Sequence, residues 1–385
     1  LRYLVAREVE LMRLLSVTAL VVLLVSHYAF ADEVFQATRS GRGEIRYLDS
    51  IPIATFTGSP EEIGKQHAAL LLRHSTELLQ FPKRVLADAG MGFFYPFAGE
   101  GAKSLMLNAP QRYQQEVATA TKAASLEPDT LAVANTLLEL RRVGCSSLIV
   151  EPHKSATGGP LFGRNFDFPT FGLLDRFGIV MVIRPEGRHA IATVGFPGMM
   201  GALSGMNDAG LCVATLDVED SADDSSRFDA KGAPMVLTFR QILEECTTVA
   251  EAESLLKQTH ATTRANLAVC DREHGAVFEI TPKQVKRRDA VDALLPCTNH
   301  FRSPGLATDQ KCWRYDCLES TRHDSSLDVA EVQAALHQAN QGENTLQTMV
   351  FEPRELVLHL SLGEPPSSGH KMHRLELREM LSPAK

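Results

Sequence analysis

The sequence predicts an α+β fold in which antiparallel sheets are covered by helices. Three observations carry that expectation. Helical patterning is concentrated before residue 144, strand-length apolar runs crowd residues 145 to about 217, and strands return after one helical stretch near 234–258. Strands in series, with helices grouped between them, favour this arrangement over the strand–helix alternation of a parallel sheet. A hydrophobic content of 44% in 385 residues supports a sizeable core. The net charge of −8 argues against nucleic acid as a partner. The one basic run, Lys286-Arg287-Arg288, reads as a solvated turn.

Taken in order, the chain opens with a leader. Met12-Arg13 precede a twelve-residue apolar stretch, Leu14 to Val25, followed by Ala29-Phe30-Ala31 and an acidic start at Asp32-Glu33. A basic head, a short apolar core and an A-x-A site are the grammar of a secretory signal peptide. Residues 1–31 are therefore expected to be a signal peptide whose start lies at Met12, leaving residues 32–385 as an exported mature chain. Twelve apolar residues are too few to span a bilayer, which takes about 20, and no later stretch is long and apolar enough.

Ile45–Leu48 and Ile51–Phe56 read as short strands. Ser59, Pro60 and Glu62 then supply an N-cap, a proline at the first helical position and a capping-box glutamate. That helix is expected to reach about Gln80, with Ile63, His67, Leu70, Leu71 and His74 near one face. Both histidines read as packed or solvated. Two more helices are expected over 110–124 and 129–142. Strands follow at 145–151, 161–166, 177–184, 189–194, 200–206 and 210–217, broken by turn signals such as Asn207-Asp208-Ala209-Gly210. A helical stretch from Pro234 to Gln258 precedes strands at 265–271, 275–280 and 292–298. A helix near 328–340 and a strand pair at 346–351 and 355–361 close the chain. The helical segment 32–144 and the strand-rich segment 145–385 are read as one domain.

The seven cysteines are 145, 212, 246, 270, 297, 312 and 317. In an exported protein the six other than Cys145 could pair, with Cys297, Cys312 and Cys317 the foremost participants. Cys212, inside an apolar run, reads as a small buried hydrophobe. No C-x-x-C, H-x-x-H or H-E-x-x-H spacing occurs, so no metal is expected, and no cofactor.

The chemistry centres on Gly144-Cys145. A cysteine can cleave the peptide bond before it and become the first residue of a new chain. Its thiol is then the nucleophile and its freed α-amine the base. An α-amine with a pKa of about 7.7–8 is close to ideal for that task near neutrality. Gly144 lacks a Cβ and so tolerates the backbone distortion of an N-to-S acyl shift. If Cys145 starts one strand and 161–166 is its antiparallel neighbour, Arg164 and Asp167 come back beside it. Arg164 could lower the thiol pKa and Asp167 could orient the α-ammonium. In a regular strand their spacing of three sets them on opposite sides. Asn299, at a strand end, could offer N–H groups to an oxyanion, and Arg314 could complete the site. Phe93-Phe94-Tyr95-Pro96-Phe97 reads as either an acyl pocket or core.

Gly144-Cys-Ser-Ser147, Gly163-Arg-Asn-Phe-Asp-Phe168, Gly205-Met-Asn-Asp-Ala-Gly-Leu211 and Thr298-Asn-His-Phe301, in that order, resemble the N-terminal-nucleophile cysteine hydrolases. The closest branch is peptidase family C45, that of acyl-coenzyme A:6-aminopenicillanate acyltransferase, related to the bile salt hydrolases. The resemblance implies a four-layer αββα sandwich of antiparallel sheets, with helices on both outer faces. It implies self-cleavage between Gly144 and Cys145 into a heterodimer of about 32–144 and 145–385, with or without higher assembly. Cys145 carries over as nucleophile, Asp167 as partner of its α-amine, Asn299 as an oxyanion donor, and Arg164 and Arg314 as active-site arginines. Where relatives carry an oxyanion-binding asparagine, this chain has Asp217.

The function so implied is hydrolysis or transfer of the acyl group of a small linear amide through a Cys145 thioester. Hydrolysis is favoured, because coenzyme A is a cytosolic acceptor. Two alternatives stay open: a binding-only member of the fold, motivated by Asp217, and a papain-like protease pairing Cys145 with His300.

Overall fold

The structure, a computed structural model, describes residues 34–88, 90–136 and 144–382. The expected leader, its start at Met12 and the end of the helix expected over 129–142 lie outside the described residues. Ala37–Lys385 form one compact unit, and helices before Gly144 share it with strands after Gly144.

The lead-in is β1 (Thr38–Ser40), β2 (Gly43–Leu48), β3 (Ile51–Gly58), then α1 (Pro60–Leu70), α2 (Thr76–Asp88), α3 (Tyr95–Met106), α4 (Gln111–Ala123) and α5 (Thr130–Thr136). The expected capping box forms: Ser59 Oγ accepts from Glu62 N, and Glu62 Oε2 accepts from Ser59 N at 2.9 Å. The helix expected to run to Gln80 stops ten residues early, at Leu70, and restarts as α2 with Pro82 inside it.

The strand-rich part is β4 (Gly144–Val150), β5 (Leu161–Asp167), β6 (Ile179–Pro185), β7 (Ile191–Gly195), β8 (Ser204–Asn207) and β9 (Cys212–Asp217). Then come α6 (Met235–Glu245), α7 (Val249–Gln258), β10 (Ala265–Cys270), β11 (Gly275–Ile280), β12 (Val285–Asp289) and β13 (Leu294–Cys297). The chain finishes with α8 (Trp313–Ser320), α9 (Val329–Gln338), β14 (Thr345–Glu352), β15 (Val357–Leu362), β16 (His373–Glu376) and α10 (Leu377–Leu381).

Among the described residues the strands form two sheets. The larger runs β1-β2-β3-β6-β7-β8-β9-β10-β11-β12 and the smaller β13-β4-β5-β14-β15-β16. One pair departs from the expected antiparallel pattern, because β3 and β6 run parallel. Parallel neighbours need a long crossover, and the helical lead-in before Gly144 lies in this one. The Lys286–Arg288 run is a second departure. It is not a solvated turn but the edge strand β12, with Arg288 Nε donating at 2.8 Å to buried Glu279. Cationic side chains on an edge strand discourage further strand addition.

The layering follows from which way side chains point. On β5, Asn165 donates to Leu336 O of α9 at 2.7 Å, whereas Arg164, one residue away, donates to Ser204 Oγ of β8 at 3.0 Å. So α9 covers one face of the smaller sheet and the larger sheet covers the other. On β8, Ser204 faces inward, and the next residue, Gly205, faces Leu243 of α6. With α1, α6 and α7 against the larger sheet and α8 and α9 against the smaller, the order is helices, sheet, sheet, helices. This α+β arrangement fits the four-layer sandwich. All seven cysteines are free, so Cys297, Cys312 and Cys317 form no disulfide here. Cys212 is fully buried, as a small hydrophobe should be.

Candidate active site

Cys145 is the second residue of β4, an inner strand paired to β13 on one side and β5 on the other. Its register partner is Phe166, Gly144 sits opposite Asp167, and Ser147 opposite Arg164. Directly opposed residues share a face, and the face alternates along the strand. Cys145, Phe166 and Arg164 therefore project between the sheets. Gly144 and Asp167 lie on the other face, as the spacing of three requires.

The Cys145 backbone is held at both polar atoms. Its N–H donates to Asn299 Oδ1 at 2.7 Å, and its carbonyl accepts from Arg314 Nη1 at 2.5 Å. Arg314 Nη2 also donates to Asn299 Oδ1 at 2.9 Å, and Asn299 Nδ2 donates to Asp217 O at 2.8 Å. Asn299 thus meets the nitrogen of Cys145, the atom that cleavage would turn into an amine. One hydrogen of its side-chain amide, expected as an oxyanion donor, goes to Asp217 O.

Asp167 is buried and heavily supported. Thr345 Oγ1 donates to Oδ1 at 2.6 Å, Gln341 Nε2 donates to Oδ2 at 3.0 Å, and Arg314 Nη1 lies 3.7 Å from Oδ2. Burial raises its pKa, and the Thr345 and Gln341 hydrogen bonds oppose that shift. Gly144 is a glycine for a steric reason. A Cβ there would stand 2.1 Å from Gln341 Nε2 and 3.1 Å from Asp167 Cβ. It lies in extended strand backbone, so this requirement for glycine is one of close approach.

The Cys145 thiol is 1% exposed. Burial raises its pKa, and the Arg164 guanidinium beside it pulls the other way. Arg164 is itself fully buried, and its Nη1 and Nη2 find no hydrogen-bond acceptor among the described residues. Those N–H groups face a thiolate or the negative charge that forms when one attacks.

Cys145 lines a small pocket with Phe166, Thr215, Asp217, Thr263 and Arg264 among its walls. Asp217 is thus at the site, but its carboxylate pairs with Arg227 Nη2 at 3.2 Å, which compensates its charge. Sequence reasoning missed Arg227, Arg264, Gln341 and Thr345. None sits in a motif, and each reaches the site only through strand register or a loop return. His300 is not joined to the thiol. Its Nδ1 pairs with Thr298 Oγ1 at 3.0 Å, and burial lowers its pKa to about 4. Of the aromatic run 93–97, Phe93, Phe94 and Phe97 are 66%, 49% and 74% exposed, and Tyr95 lines a groove with Lys83 and Thr130 away from Cys145.

The family described as acyl-coenzyme A:6-aminopenicillanic acid acyl-transferase matches residues 155–323. That span contains Arg164, Asp167, Asp217, Asn299 and Arg314, and begins ten residues after Cys145. An uncharacterized protein of Archaeoglobus fulgidus is 22% identical over 354 residues, which cover 74% of this chain. The chain spans 58% of that relative's length. Among solved structures, a variant of conjugated bile acid hydrolase from Clostridium perfringens aligns with a TM-score of 0.46 at 15% identity, over 61% of this chain and 93% of that one. The Caenorhabditis elegans N-acylethanolamine-hydrolyzing acid amidase ortholog gives 0.43 at 17%, over 60% and 100%. Penicillin V acylase from Agrobacterium tumefaciens gives 0.35 at 12%, over 57% and 83%.

Proposed function

With residues 155–323 matching the acyl-transferase family, we propose that this chain is a self-processing cysteine amidohydrolase with Cys145 as its nucleophile. The observation that carries the reading is the double grip on the Cys145 backbone, N–H to Asn299 and carbonyl from Arg314. The β13 ladder ends opposite Ser147, so at Cys145 two side chains take the place of a strand neighbour and hold the N–H and the carbonyl. A residue destined to be a chain terminus needs such holds.

In maturation, Cys145 Sγ attacks the Gly144 carbonyl carbon, and the C–N bond to Cys145 gives way to a thioester. Water then hydrolyses the thioester, leaving a Gly144 carboxylate and a free Cys145 α-amine. In turnover the amine takes the thiol proton, and the thiolate attacks the amide carbonyl of the substrate. The departing amine carries the proton away, and water releases the acid from the Cys145 thioester. Arg164 stabilises negative charge at the sulfur and on the tetrahedral oxyanion. Asn299 and Arg314 hold the terminus, with Asp167 fixing Arg314 from the opposite face. Hydrolysis needs only water as acceptor. Transfer to an amine would use the same thioester.

Intact-mass analysis and a denaturing gel test this. The wild-type preparation is expected to contain a fragment beginning at Cys145, and Cys145→Ala is expected to stay as one chain and turn over no acyl amide. A wild-type protein that keeps the 144–145 bond and is not labelled at Cys145 by iodoacetamide would overturn the reading.

A further inference from the structure

At the opposite end of the larger sheet from Cys145 lies an open groove of about 700 Å³, within the range of small-molecule sites. The course of β8 shows the separation. Ser204 at its start meets Arg164, whereas Asp208, just past its end, stands in the groove wall. Four of the wall residues are arginines, Arg39, Arg42, Arg184 and Arg188, against the two acids Glu44 and Asp208. In a chain of net charge −8 that is a local reversal of sign.

The four arginines are not equivalent. Arg39 pairs with Glu44 at 3.3 Å, Arg42 with Glu62 at 3.1 Å and Arg188 with Glu245 at 2.9 Å. Those three guanidinium groups are exposed, so their pairs are weak and readily exchanged for another anion. Asp208 is committed to His189 Nδ1 at 2.5 Å and to Ala190 N at 3.0 Å. Arg184 differs: it is half-buried and forms no ion pair among the described residues. Its Nη2 donates to Met380 O at 2.5 Å, and its Nε finds no acceptor. Burial lowers its pKa, and Glu44 opposes that shift. A guanidinium taken partly out of water without a carboxylate is costly unless an anion reaches it.

Thr57 stands beside it. The two are register partners on β3 and β6, the parallel pair, each one residue from the end of its strand. Gln66 fixes the Thr57 backbone at both atoms, accepting from Thr57 N at 2.9 Å and donating to Thr57 O at 2.8 Å. The Thr57 hydroxyl is buried and has no partner. Rotation about χ1 turns it toward the groove without breaking a hydrogen bond, because it makes none. A hydroxyl and a guanidinium side by side, both with donors to spare, match the oxygens of a phosphate group.

We propose that this groove binds a small phosphate-bearing anion, with Arg184 and Thr57 holding the phosphate group and Arg39, Arg42 and Arg188 balancing further charge on the ligand. The volume leaves room for an organic body beyond one phosphate. Such binding is independent of the amidase reading, since the groove shares no wall residue with the Cys145 pocket.

Calorimetry with sodium pyrophosphate on the full chain, at fixed ionic strength, tests this. Pyrophosphate is expected to bind wild type and Cys145→Ala equally. Thr57→Val is expected to weaken it about tenfold, the loss of one hydrogen bond to a charged group, and Arg184→Gln by more than that. Arg184→Lys, which keeps the charge without the fork, is expected to fall between wild type and Arg184→Gln. Because the Thr57 hydroxyl has no partner in the free chain, Thr57→Val is expected to keep the wild-type urea midpoint, so its loss of binding reads the site and not the fold. Arg287→Gln, on the edge strand β12, is expected to change affinity less than about twofold. Absence of pyrophosphate binding, or affinity that ignores either Arg184→Gln or Thr57→Val, would overturn the proposal. So would an equal loss in Arg287→Gln, which would mark a general charge effect. Citrate binding as tightly as pyrophosphate would overturn the assignment to phosphate.

Discussion

Gly144→Ala tests whether close packing at the proposed cleavage site is what demands glycine. An added Cβ would stand 2.1 Å from Gln341 Nε2, so Gln341 must move and give up its 3.0 Å hydrogen bond to Asp167. A hydrogen bond to a charged group is worth about 1.5–3 kcal/mol. Replacing glycine at an unstrained position would otherwise gain about 0.4–1 kcal/mol through the unfolded chain. The difference predicts a net loss of about 1–2 kcal/mol. Urea unfolding of Cys145→Ala with and without Gly144→Ala measures it on chains that both remain uncut. Repeating the pair in a Gln341→Ala background closes a double-mutant cycle. There the alanine at 144 is expected to cost less than about 0.5 kcal/mol, because its main obstacle is gone. A neutral or stabilising Gly144→Ala, or a loss of the same size without Gln341, would refute the steric account. In the processing-competent chain the same substitution is expected to slow the appearance of the Cys145 fragment on a gel time course.

Two further outcomes follow from buried charge and buried imidazole. Arg240 is 1% exposed, with both Nη atoms on the Glu116 carboxylate at 2.7 Å and Nε on Glu244 at 2.7 Å. Glu116→Ala is expected to cost about 3–5 kcal/mol in urea unfolding, as breaking a buried pair does, and a loss under about 1 kcal/mol would contradict the burial. For His67, burial lowers the pKa from 6.5 to about 3. The unfolded chain then binds the proton and the folded chain does not, so stability is full above about pH 6.5 and falls as the pH drops toward 3. Between pH 7 and pH 5 this group alone is expected to remove about 2 kcal/mol. His67→Phe should lose that much less than wild type over the same interval, and equal losses would show that His67 is not buried neutral.

Signals confined to a few consecutive residues were legible in the sequence. Ser59 and Glu62 formed the expected capping box, and Asn207 made the expected turn by accepting from Ala209 N and Leu211 N. The ordered motifs carry Cys145, Arg164, Asp167 and Asn299 into one cluster, because strands that pair in register carry their spacing into space, and Arg314, outside any motif, joins them there. What stayed illegible depends on convergence. Gln341 and Thr345 reach Asp167 from 174 and 178 residues away, and nothing local to either marks them. Asn135 clamps a loop some 65 residues on, which no periodicity could show. The run 93–97 read as either pocket or core, yet three of its aromatics are exposed, because composition reports aromatic content and not which way a helix turns it. The basic run 286–288 looked like a turn for the same kind of reason: its partner Glu279 lies on the neighbouring strand.

The grip on Cys145 also bears on the proposed processing, because a cut before Cys145 need not displace it. β4 stays paired to β13 and β5 through residues on the far side of the cut, and Asn299 and Arg314 likewise come from beyond it. The preceding segment has its own attachments, through Glu116 to Arg240 and through Asn108 to Ala230 O and Gly232 O. Cleavage would therefore change the chemistry of one atom more than its place. As an amide, the Cys145 nitrogen can only donate to Asn299 Oδ1. As an amine it could still donate there and would also have a lone pair to take the thiol proton. Burial pushes that thiol's pKa up in the uncut chain, and in the proposed cleaved form the freed amine would give it a base without any side chain having to move.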